Sequence, residues 1–180
     1  MKLNKPENII VHHTATARDS TTFDAVNRYH KKKWNFKSAL GYYIGYQYFI
    51  SGRGNITQGR LNTEGGAHTK QKGMNFKSVG ICLAGNFDNE QPTKIQVEQL
   101  TKLMFQLHTV YGIAPENVYP HRAFAPKSCY GSSLPDTWAE SLLARRIARE
   151  KAEDDENTRP ERARKLIALL QEAGEIARTL

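Results

Sequence analysis

"ENIIVHHTA", residues 7–15, is a short, apolar, β-rich run that ends in two adjacent histidines. It reads as a strand whose end displays imidazoles. A second run, "SVGICLAGNF" (78–87), is continuously apolar and bounded by Gly and Asn, as expected of a strand buried on both faces. Between the two, "TARDSTT" supplies N-cap candidates for a helix over "FDAVNRYHKKKW", where Phe23, Val26 and Tyr29/His30 recur at helical spacing. "LGYYIGYQYFISGRGNITQGR" (40–60) is aromatic-rich and broken by the turn signal "SGRGN", which predicts a hairpin. Thr93 and Gln96 form a capping box for a helix with Val97, Leu100, Leu103/Met104, Leu107 and Val110/Tyr111 on one stripe and Gly112 as its stop. "ENVYPH" predicts one more short strand. Strands interleaved with helices give an α/β layer fold around a mixed central sheet flanked by helices.

Past residue 134 the composition changes. Pro135 is expected to open a helix carrying Trp138, Leu142, Leu143 and Ile147. "EKAEDDENTRP" (150–160) reads as a charged bridge, and 161–180 as an amphipathic helix with Leu166, Leu169/Leu170, Ala173 and Ile176/Ala177 on one face. The expected division is a domain over 1–138 and a helical extension over 139–180.

The 180 residues suffice for one real core without disulfide staples, and two cysteines, Cys82 and Cys129, form no disulfide framework. The first thirty residues lack a secretory apolar run and no stretch is long enough for a membrane span, so the expectation is a chain made in the cytosol and kept there until another factor releases it. The net charge of +8 sits in the body: residues 1–138 hold 17 Lys and Arg against 9 Asp and Glu, and 139–180 hold 9 of each. Such a surface suits a polyanionic partner: nucleic acid, anionic membrane or bacterial cell wall. The basic residues are scattered and no nucleic-acid motif is present, which argues against a specific nucleic-acid binder.

Six histidines are available for chemistry. His30 and His108 fall in helical patterns; His12, His13, His68 and His121 fall near strand ends or in loops, where scaffolds display functional groups. The loop "HRAFAPKSC" (121–129) offers an imidazole and a thiol, both zinc ligands, and the strand-end pair is the best source of a third. Side chains alternate along a strand, so only one of His12 and His13 can face the metal. Two histidines and one cysteine leave a fourth zinc position for water, the mark of a catalytic site and of hydrolysis. Cys82, inside its apolar strand, reads as core.

Four segments in order, "IIVHHTAT", "IGYQYFISGRGNITQGR", "GAHTKQKGMNFKSVGICLAGNF" and "PHRAFAPKSC", resemble the zinc-dependent N-acetylmuramoyl-L-alanine amidases, a group that includes the peptidoglycan recognition proteins and the bacteriophage lysozyme-like amidases. The likeness covers about residues 8–138 and not the tail. It implies one Zn2+ held by His12, His121 and Cys129, with His13 in a supporting role at the substrate site. It implies Tyr46 and Lys127 as catalytic residues, and His68 beside the substrate groove. The implied reaction is hydrolysis, by zinc-activated water, of the amide joining N-acetylmuramic acid to L-alanine of the stem peptide, with Lys127 stabilising the developing negative charge.

The expected setting is a phage-type endolysin that reaches bacterial peptidoglycan once a separate membrane-permeabilising protein opens the way. Alternatives are a cytosolic amidase recycling wall fragments, an interbacterial toxin, and a module that binds peptidoglycan without cutting it. Relatives of the recycling and the non-cutting kinds typically lack the cysteine. One departure stands out: relatives usually carry proline directly after the metal-binding cysteine, whereas this chain reads "CYGSSLP". The loop after Cys129 is therefore expected to follow its own path.

Overall fold

The computed structural model describes residues 3–179. Five strands form one mixed sheet in the order β3-β2-β4-β1-β5, with β1 at Asn8–His13, β2 at Tyr48–Ile50, β3 at Ile56–Gln58, β4 at Ser78–Leu83 and β5 at Val118–Pro120. β1 lies between β4 and β5 and runs parallel to both, with Ile10 opposite Gly80 on one side and Tyr119 on the other. All six residues of β1 and all six of β4 are buried, which is why neither strand shows polar alternation. β2 pairs parallel with β4, and β3 closes the edge antiparallel to β2.

The hairpin is shorter than its aromatic sequence predicts. Residues 42–45 give their backbone N–H groups to side chains instead of a ladder: Ser38 Oγ accepts from Tyr42, Asn27 Oδ1 from Tyr43 and Ile44, and His30 Nδ1 from Gly45, while the buried Arg60 donates to Ile44 O. A backbone satisfied in that way has no demand left for a strand partner.

Helix α1, Phe23–Trp34, starts at Thr22, whose hydroxyl accepts from Ala25 N, and stops at Asn35 in the left-handed region. Phe23 and Val26 pack on Ile44, Phe49, Cys82 and Ala84, which makes Cys82 core as expected. Helix α2, Lys94–Tyr111, carries the capping box of Thr93 and Gln96 and stops at Gly112, φ +67°. The Gln96 side chain also donates to Ala84 O, which ties the helix start to the end of β4. Leu100, Leu103, Met104 and Leu107 are buried. Val110, expected on the same stripe, is 70% exposed, and Ile113 fills the core position just past the glycine turn.

The C-terminal region differs from expectation. A single helix α3 runs from Trp138 to Thr179; it starts three residues after Pro135 and continues through 150–160, where a bridge was expected. Glu, Ala, Lys and Arg in that stretch are good helix formers, and Arg146–Glu150 and Arg149–Glu153 ion pairs at i,i+4 add to them. The side chains of Leu166, Leu169, Leu170, Ala173, Ile176 and Ala177 lie outside the described residues. The chain divides into two compact units, 1–143 and 144–180.

Candidate metal centre

His12 occupies the fifth position of β1, at the carboxyl end of the parallel strands, where open α/β sheets place their ligands. Alternation along β1 separates the two histidines. His12 Nδ1 lies 3.7 Å from Cys129 Sγ, whereas His13 Nδ1 accepts from the backbone N–H of Phe87 at 3.0 Å, with its ring against Phe87. His13 is 5% exposed. Its ring is held against the scaffold, its N–H points at Cys129 Sγ at 3.4 Å, and the residue also lines the larger of two recesses beside the centre.

His121 follows β5 in a short 3-10 turn, and Cys129 sits in the loop before α3. One ligand atom from each of His12, His121 and Cys129 lies within 4.8 Å of the other two. His12 lies more than a hundred residues before the loop that carries His121 and Cys129, and the pairing of β1 with β5 brings the two segments together. Two imidazoles and a thiol fit a single zinc ion with a position left over. All three groups are neutral as they stand. Burial holds His12 well below the usual imidazole range, assisted by His121 and His68, and burial with Lys127 brings His121 down to about 4. Burial pushes the Cys129 thiol up to about 12, against the lowering pull of the His13 N–H and Lys127. A divalent cation would reverse that balance by favouring the thiolate.

Behind His12 stands His68. His12 Nε2 and His68 Nδ1 are 3.1 Å apart, and Thr69 Oγ1 lies 3.1 Å from the same His68 nitrogen. For His12 to offer the Nδ1 lone pair, its proton must sit on Nε2, which then donates to His68. Burial, then His121 and Arg60, lowers His68 to about 3, so the ring stays neutral and able to accept. Gly66 and Gly80 admit it: a Cβ at Gly80 would come within 2.6 Å of His68 Cδ2. The ring expected at the substrate groove thus also contacts His12 from behind.

Tyr46 packs its ring 4.9 Å from that of His12 and is half-buried. Burial, then Cys82 and Cys129, holds its phenol well above 10. Lys127 is exposed at the rim. Two recesses of about 850 and about 470 Å³ share Trp34, Tyr46, His121 and Lys127 as a common wall. Thr14, Thr21 and Tyr29 line the larger, and His68, Lys70 and Asn75 the smaller.

Several site-building residues escaped the sequence reading. His30, assigned only to a helix face, is buried; its Nδ1 accepts from Gly45 N, and it lines the larger recess. Trp34 joins it there, next to "KKK". Arg60, fully buried with Glu64, donates to Ile44 O, Gly65 O and Phe36 O and fixes the segment leading to Tyr46. Gln47 clamps the same segment, accepting from Gly80 N and donating to Glu64 O. The sequence signal for Gln47 is a polar residue inside an aromatic run; the polar stretch "TQGRLN" around Arg60 carries none.

The endolysin of Klebsiella phage KP32 is 32% identical over 105 residues, covering 56% of this chain and 67% of the relative. Peptidoglycan-recognition protein SC2 of Drosophila melanogaster is 28% identical over 127 residues, covering 69% and 68%. Among solved structures, the N-acetylmuramoyl-L-alanine amidase LysC from Clostridium intestinale superposes with a TM-score of 0.65 at 27% identity, covering 81% of this chain and 89% of that one. The N-acetylmuramoyl-L-alanine amidase family model matches residues 2–132, the span that holds β1 to β5 and every residue of the centre, and the chain belongs to that family.

Proposed function

We propose that this protein is a zinc-dependent N-acetylmuramoyl-L-alanine amidase that cleaves the amide between N-acetylmuramic acid and the L-alanine of the peptidoglycan stem. Residues 1–138 carry the activity and 139–180 form an extension. The observation that carries the proposal is the convergence of ligand atoms of His12, His121 and Cys129 to within 4.8 Å of one another, all three lining the larger recess. When bound, zinc supplies a Lewis acid that brings the pKa of water to about 7.

The chain's own residues do the rest. His12 and His121 hold their lone pairs free because both rings are neutral. His68 keeps the His12 proton on Nε2. Lys127, at the rim beside His121, supplies the cation for the carbonyl oxygen as negative charge grows there. Tyr46, whose phenol stays protonated, orients water by donating and does not act as a base. Endolysin relatives and the body's positive charge support an endolysin acting on the wall after a separate protein opens the membrane. No helix among the described residues is long and apolar enough to cross a membrane.

The test is mass spectrometry of peptides released from purified sacculi with a free L-alanine amino terminus. Cys129→Ala and chelated samples run alongside. Release from the zinc-loaded protein, lost in both controls, is the expected result. Bound zinc without release from sacculi or from soluble muramyl peptides would overturn the proposal in favour of recognition without cleavage.

A further inference from the structure

Tyrosine stands at 130, directly after Cys129, where a proline would restrict the backbone. In its place the loop is held by side chains, and several of the bonds converge on one residue. The Arg122 backbone N–H donates to Cys129 O at 2.6 Å. Its guanidinium donates to Ser128 O at 3.3 Å, Gly131 O at 2.6 Å and Leu134 O at 2.6 Å, and pairs with Asp136. The same group lies 5.3 Å from the ring centre of the fully buried Tyr130. Carbonyls on both sides of Cys129 are therefore bound by the residue that directly follows His121. From the opposite side Asp88 accepts from Ser128 Oγ and Ser132 N.

We infer that Arg122 is the positioning residue of the metal centre: by gripping the carbonyls of residues 128, 129, 131 and 134, it fixes Cys129 Sγ relative to His12 and His121. This rests on the metal reading above. Arginine suits the task because its planar fork offers several fixed donors and a face to stack, whereas lysine offers one compact charge.

The test uses the full chain loaded with cobalt(II) in place of zinc. The near-ultraviolet thiolate-to-cobalt band reports whether Cys129 is a ligand, and chelator competition reports zinc affinity. Arg122→Ala and Arg122→Lys are each expected to weaken zinc binding about 10- to 100-fold and to diminish or shift the thiolate band. The lysine variant keeps the charge and the aliphatic stem, so it addresses the question if the alanine variant fails to fold. Folded variants with the wild-type band and wild-type zinc affinity would overturn the inference alone. Absence of a thiolate band in the unsubstituted protein would overturn the metal reading and the inference with it.

Discussion

With a metal ion on His12 Nδ1 the His12 proton sits on Nε2, 3.1 Å from His68 Nδ1, which can accept it. His68→Ala should lower zinc affinity about 10- to 100-fold, measured by chelator competition. An unchanged affinity would leave His68 as a groove residue only. Lys127→Met should behave in the opposite way. It removes an exposed cation from the rim but no ligand, so zinc affinity should hold while kcat falls about 10²- to 10³-fold, as for loss of one oxyanion donor. A loss confined to KM would show that Lys127 binds substrate equally well before and during the reaction. Tyr46→Phe separates donor from base: since the phenol is held well above 10, the variant should lose rate without shifting the acidic limb of the pH profile.

Among the elements, α1 depends on a buried imidazole for its join to the segment before β2. His30 accepts from Gly45 N and is 4% exposed, and burial, then Lys33 and Arg60, lowers it to about 4. Its folded pKa lies below its unfolded value, so the unfolded chain takes up the proton first. The stabilisation is complete above about 6.5 and is lost as pH falls from there towards about 4, on the order of 3 kcal/mol for one such group. Denaturant unfolding with chelator present should show wild type losing more stability between pH 7 and pH 4.5 than His30→Gln, and parallel curves would refute this. Elements whose signal is local were legible in the sequence: the unbroken apolar runs of β1 and β4, the capping box of α2 and its glycine stop. The clustering of His12, His121 and Cys129 was legible as well, because they sit in two of the four ordered motifs, "IIVHHTAT" and "PHRAFAPKSC". What stayed hidden were side chains satisfying distant carbonyls. Arg60 reaches Phe36 O, 24 residues away, and nothing in the local pattern around "QGR" marks that partner. The charged run at 150–160 misled for the reverse reason, since its polarity suggested a solvated bridge while its residues favour helix.

For the whole molecule, the uneven charge sets how the protein meets its substrate. The excess of 17 basic over 9 acidic residues lies within 1–138, so attraction to an anionic wall should weaken as the screening length contracts from about 30 Å at 0.01 M to about 3 Å at 1 M salt. Binding to sacculi should fall several-fold over that range while turnover of a small soluble muramyl peptide stays constant; equal losses would place the salt effect in the site itself. The common wall of Trp34, Tyr46, His121 and Lys127 has a consequence for turnover. A ligand that straddles the wall is gripped on both flanks, but once severed above it each fragment keeps hold of a single recess. Each half should then dissociate more readily than the intact chain, so that accumulating products compete poorly and the catalyst keeps working as the wall dissolves around it.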